Sequence, residues 1–138
     1  LKKFWLVFFI ILLIVVCVAC ASSPVDQYAN FIDDLDLFTR MQTAIGQIEE
    51  GGMSLYVKTD MNTLQKDLQT LQANDSNVLE IHAHFLNAVQ ALRDWTVYED
   101  ANDAEKAQAA YQEAKEQFDA GFLKYTELGE DGGASGGR

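Results

Sequence analysis

Cysteine is nearly missing from this chain. It occurs at Cys17 and Cys20, both inside an apolar stretch, and nowhere in the remaining residues. The part after residue 21 therefore has no disulfide to support it and no thiol to serve as nucleophile or metal ligand. The Cys-x-x-Cys spacing lies among Val and Ala with no His or acid beside it, so it is not read as a redox or metal motif. Bases are scarce as well. Residues 21–138 carry all 21 acids but only eight bases, a net charge near −13. Such a surface repels phosphates, which argues against a partner of nucleic acid. A basic protein or calcium stays compatible with it.

Other absences narrow the chemistry. No Gly-x-Ser-x-Gly turn holds a serine nucleophile. No glycine-rich loop cradles phosphate, and no glycine-centred loop of alternating oxygen ligands binds calcium. The acids of "DDLD", Asp33, Asp34 and Asp36, read as solvated surface. No cofactor and no enzymatic activity are expected. No period-two pattern is long enough to make a sheet.

What is present begins with Lys2 and Lys3, followed by the uncharged run "FWLVFFIILLIVVCVACA", Phe4 to Ala21. As a helix these eighteen residues extend roughly 27 Å, close to the ~30 Å of a hydrocarbon core. The lysines favour an N-terminus on the inner side, so the later residues are expected outside. The chain opens on Leu1 rather than Met, and its natural start is expected at or upstream of this residue. Residues 1–21 thus read as a signal peptide or a transmembrane helix, with the bilayer as partner.

Val16 to Cys20, "VCVAC", resembles the signal segment of bacterial lipoproteins. Cys17 stands where that pattern prefers Leu, while Val18 and Ala19 fit the positions before the cut. The resemblance implies cleavage between Ala19 and Cys20 and a lipid on Cys20, which would become the first mature residue. Two further readings remain, an uncleaved membrane helix and simple secretion. The resemblance covers the signal segment and says nothing of the later residues.

Those later residues read as all-α. "SSPVD" offers Ser23 as N-cap, Pro24 at the first helical position and Asp26 three residues after the cap. Phe31, Leu35, Phe38, Met41, Ile45 and Ile48 then recur at steps of three or four, predicting a helix over about 24–50 that stops at Gly51–Gly52. Met53, Val57, Met61, Leu64, Leu68 and Leu71 predict a second over 53–73, with Thr59–Asp60 as an alternative start. After the polar break "ANDSN", Val78, Ile81, Phe85, Ala88, Leu92 and Trp95 predict a third over 77–98. Leu79, Leu86 and Val89 widen its apolar face beyond a narrow seam, as in a bundle. Ala104, Ala107, Tyr111, Ala114, Phe118, Phe122 and Tyr125 predict a fourth over 102–128. Residues 129–138 are expected to form a disordered Gly-rich tail. Short connections predict an antiparallel four-helix bundle over 22–128, with a three-helix arrangement as the alternative.

"EIHAHF" supplies the only metal candidates, Glu80, His82 and His84. His82 and His84 sit about 200° apart on a helix and cannot share an ion within it. Glu80 and His84 share a face and make half a site. His82 borders the apolar face and reads as a partly buried histidine with a local hydrogen bond. The functional expectation is a non-enzymatic binding or structural module at the outer face of a bacterial membrane, facing an envelope protein partner. The alternative is an envelope carrier of a small apolar ligand or metal ion, held in a pocket between the helices.

Overall fold

The computed structural model describes residues 22–133, and these form an all-helical bundle with no strand among them. The apolar segment before residue 22, with Cys17 and Cys20, lies outside the described residues. Among the described residues no helix is long and apolar enough to cross a membrane. Within that range five helices follow one another: α1 (Pro24–Asp34), α2 (Leu37–Glu49), α3 (Ser54–Leu68), α4 (Ser76–Asp100) and α5 (Ala104–Gly133).

The starts of these helices are set by side chains that accept otherwise unpaired backbone N–H groups. Ser23 Oγ accepts from Asp26 N–H at 3.1 Å, with Pro24 opening the helix. Asp75 Oδ1 accepts from the N–H groups of Asn77 and Val78, each at 3.0 Å. Asp103 Oδ1 accepts from Lys106 N–H at 3.2 Å. Gly51 ends α2 at φ 71°, a left-handed turn that glycine adopts without a side-chain clash.

The single helix expected over 24–50 is two. Asp36 takes a left-handed conformation at φ 51° and breaks it, since Asp and Asn are among the few non-glycine residues that tolerate this region. One left-handed residue resets the helical phase. Tyr28 and Ile32 become the buried pair of α1, and Leu37, Met41 and Ala44 the buried row of α2. Phe31, Leu35, Phe38, Ile45 and Ile48 are only half-buried. Arg40 holds the joint: its guanidinium donates to Leu35 O at 3.4 Å and to Asp60 Oδ1 at 2.8 Å on α3.

Other boundaries also move. The second helix ends at Leu68 rather than 73, leaving 71–75 outside any helix. Met53 precedes its start and is 71% exposed. The last helix runs to Gly133, past the expected boundary at 128, while 134–138 lie outside the described residues. Leu128 packs against the core and helps carry the helix beyond that point.

Cross-helix pairs give the directions. From Ser54–Asp100 through Asn62–Arg93 to Gln65–Gln90, the number rises along α3 as it falls along α4. From Tyr98–Lys106 through His84–Gln117 to Glu80–Lys124, α4 and α5 do the same. Each of these two pairs is therefore antiparallel. The α3–α4 connection, the start of α1 and the later part of α5 share one end, where Tyr28 meets both His82 and Tyr125.

The core lies between α4 and the rest. Phe85, Ala88, Val89 and Leu92 are fully buried in it. Phe38 packs its ring against Phe85, Phe118, Phe122 and Tyr125 at centroid distances of 5.3–6.1 Å. Gly121 lets α5 approach α4: a Cβ there would stand 2.8 Å from Phe85 Cε1 and 3.0 Å from His84 Cβ. Gly46, inside α2, has nothing within 4 Å of its missing Cβ. Alanine should therefore act with opposite sign at the two positions. Gly46→Ala is expected to stabilise by ~0.5–1 kcal/mol through helix propensity. Gly121→Ala is expected to destabilise by ~1–3 kcal/mol through overpacking, despite the same propensity gain. Urea unfolding of the two variants checks this, and shifts in the same direction would contradict the close α4–α5 approach.

Candidate functional site

His82 is buried, at 6% exposure, where α4 faces α1 and the end of α3. Its Nε2 lies 2.9 Å from Leu68 O. A carbonyl oxygen only accepts, so Nε2 carries the hydrogen and donates it. Leu68 is the last residue of α3, and its carbonyl also accepts from Leu71 N–H at 3.3 Å in the turn that follows. His82 adds a second, shorter bond to it. The other ring nitrogen, Nδ1, lies 3.2 Å from the Tyr28 hydroxyl and accepts from it. The imidazole is thus neutral, with both nitrogens engaged. Burial pushes its pKa below the usual histidine value, opposed by the bond to Leu68. Burial, and secondarily Tyr125, push the Tyr28 hydroxyl far upward, so it stays protonated. The Phe31 ring meets the imidazole edge to face at 6.0 Å.

The other metal candidates lie elsewhere. His84 Nδ1 donates to Gln117 Oε1 at 2.8 Å on α5. Glu80 accepts from Lys124 Nζ at 2.7 Å, and this bond holds its carboxyl below the usual range. His82 points inward toward Tyr28, while Glu80 and His84 face α5, so the three do not converge. Among the described residues no group of three or more His, Cys, Asp or Glu is placed to hold a metal ion. Cys20, the expected lipid-attachment residue, lies outside the described residues.

A titratable cluster that the sequence did not announce joins α2 to α5. The Tyr111 hydroxyl donates to Glu49 Oε1 at 2.5 Å, and Lys115 Nζ lies 3.5 Å from the same oxygen. The bond from Tyr111 draws the Glu49 carboxyl down. Burial raises the Tyr111 hydroxyl, and the phenolic oxygen of Tyr111, with Glu49, raises the Lys115 ammonium. Each shift moves titration further from neutral pH, toward a fixed protonation state. General acid–base work needs the reverse, a group poised near the working pH. The cluster ties two helices together.

An open cleft of about 520 Å³ lies among the described residues. It lies between the first turns of α1 and the stretch 70–75 that links α3 to α4. Tyr28 and Phe31 bring aromatic rings to it. Gln27, Thr70, Gln72 and Asn74 bring uncharged polar groups. Asp75 is its one acid, and no base lines it. Along 71–75 exposure alternates, with Gln72 and Asn74 outward and Leu71, Ala73 and Asp75 half-buried. The sequence marks "ANDSN" as a polar break that can cap the next helix with Asp75, Ser76 or Asn77, and Asp75 is the cap, while the cleft forms because the second helix stops five residues earlier than expected. A smaller hollow of about 220 Å³ at the same end is lined by Glu80, Lys124, Glu127 and Asp131 among others. No family model, characterised protein or solved structure matches the chain, so its own geometry has to carry the functional reading.

The Tyr28–His82–Leu68 relay makes stability depend on pH. A histidine whose folded pKa is lowered favours the neutral form in the fold. Its contribution is complete above the unfolded value of about 6.5 and is lost as pH falls through the folded value. Urea midpoints are therefore expected to fall between pH 7.5 and 5, and to fall less in His82→Gln. The carboxylates of Glu49, Glu80 and Asp103, all held low by hydrogen bonds, contribute stability that is complete above their ordinary carboxylate range and is lost as pH falls below it, a window separate from that of His82. Tyr28→Phe is expected to cost ~1–2 kcal/mol, because Nδ1 loses its donor while buried. An unchanged midpoint in Tyr28→Phe would mean that the hydroxyl bond adds nothing.

Proposed function

We propose that this chain is a non-enzymatic binding or structural module held at the outer face of a bacterial membrane by its N-terminal segment. In this reading α1 and α2 act as one broken first helix. With α3, α4 and α5 they make an up-down-up-down four-helix bundle. The opposite order of cross-helix pairs along α3, α4 and α5 supports that arrangement. The observation that carries the binding role is the open cleft beside Pro24, two residues from the start of the described chain. Anchored through Cys20, the cleft sits close to the bilayer, where confinement to two dimensions raises its effective concentration for an envelope partner. Exposed Met53, Leu55, Tyr56 and Val97 add apolar contact area elsewhere on the surface.

The alternative, a carrier of a small apolar ligand or metal ion, draws less support. His82 has both ring nitrogens engaged, and the cleft mixes polar with apolar groups.

Two measurements test the proposal. Lipid labelling and intact mass of the membrane-bound protein are expected to show a diacylglyceryl group on a chain that begins at Cys20. Cys20→Ser should abolish the label, and a retained peptide from residues 1–19 would sink cleavage. For binding, a photo-crosslinking residue at Gln72 in native membranes is expected to give discrete adducts that the same residue at exposed Glu113 does not. Equal labelling at both positions would remove the cleft from the account.

A further inference from the structure

The lining of the cleft restricts what it can hold. An anion finds no cation, since no Lys, Arg or His lines it and the chain carries a net charge of −11. A metal ion finds one acid, Asp75, whose Oδ1 already accepts two backbone N–H groups at the start of α4. A purely apolar ligand would leave Gln72, Asn74 and Gln27 desolvated against it, which costs free energy for each unpaired amide. The remaining class is neutral, rich in hydroxyl or amide groups along its edges, and apolar on one face. Such a ligand can lie against Phe31 and the ring edge of Tyr28 while its rim exchanges hydrogen bonds with amide side chains, each of which offers both a donor and an acceptor. The volume of about 520 Å³ falls within the range of small-ligand sites and is larger than a single sugar ring needs.

We propose that the cleft between α1 and residues 70–75 is a binding site for a neutral saccharide of two or three units. This rests on the reading of the chain as a binding module and names its ligand class. Phe31 supplies the stacking surface. Gln72 and Asn74, both exposed on the stretch that links α3 to α4 and both lining the cleft, read the hydroxyl and acetamido groups. A peptide added as a strand is disfavoured, because the described residues form no strand to pair with, and a peptide held by its side chains is the competing occupant that the test separates.

The test uses the full-length chain in detergent micelles, with saturation-transfer NMR on N,N′-diacetylchitobiose and on cellobiose. Millimolar binding of at least one disaccharide is expected. The double variant Gln72→Ala/Asn74→Ala, altered only at exposed side chains, should weaken it about tenfold with an unchanged circular dichroism spectrum. Phe31→Leu gives a second reading of the stacking contact. Binding that is indifferent to the double variant would overturn the site. No transfer to either sugar, with transfer to the neutral peptide Ala-Gln-Ala-amide that the double variant removes, would overturn the saccharide and leave the binding module standing. Transfer to none of the three would overturn both.

Discussion

Every other helix is placed by the need to cover α4. Its 25 residues include ten that are buried, from Val78 to Thr96, too many for one partner helix to shield. α3 covers one side with Val57, Met61, Leu64 and Leu68, and α5 covers another with Ala107, Tyr111, Ala114 and Phe118. Small residues at 107 and 114, with Gly121, let α5 lie close, while the rings of Phe85 and Phe118 fill the space nearby. α1 and α2 close what is left. Apolar burial of this kind is worth roughly 1.5–3 kcal/mol per large side chain. It therefore outweighs the surface ion pairs, each worth about 0–1 kcal/mol.

The scarcity of bases has a structural counterpart. Arg40, Lys58, Lys115 and Lys124 each meet a carboxylate on another helix. With few cations in an acidic chain, most of those described are at helix crossings, where they offset local repulsion between acids. Arg93 is different: its Nε donates to Asn62 Oδ1 at 2.6 Å, and its Nη1 donates to Gln65 Oε1. Amide oxygens satisfy it without a second charge.

Much of the helix content was legible because it is written in local terms. Ser23–Pro24, the polar break before Asn77 and the glycines at 51–52 are short-range signals, and the caps fall where those residues stand. The break at Asp36 was not legible. Nothing in "DDLDLF" interrupts the three-and-four spacing, and the left-handed turn resets which side chains face the core. The same competition exposes Leu79 and Phe122, which the spacing had placed inward. Of the candidate site, His82 could be read as a histidine at the edge of an apolar face. Its hydroxyl donor, Tyr28, lies 54 residues away and no local pattern connects them. The cleft was illegible for a related reason, since it exists only where α1 meets the α3–α4 connection from another part of the chain.

The interruption at Asp36 also governs how the molecule bears load. A continuous rod would carry tension from its first residue straight into the core. Here α1 is attached by only two fully enclosed side chains, Tyr28 and Ile32, whereas α2 beyond the joint is locked by Leu37, Met41, Ala44 and Arg40. Elements with few enclosed contacts open at the lowest free energy. By that rule a pull on the leading end would peel these eleven residues away first, and the joint would spare the remaining helices.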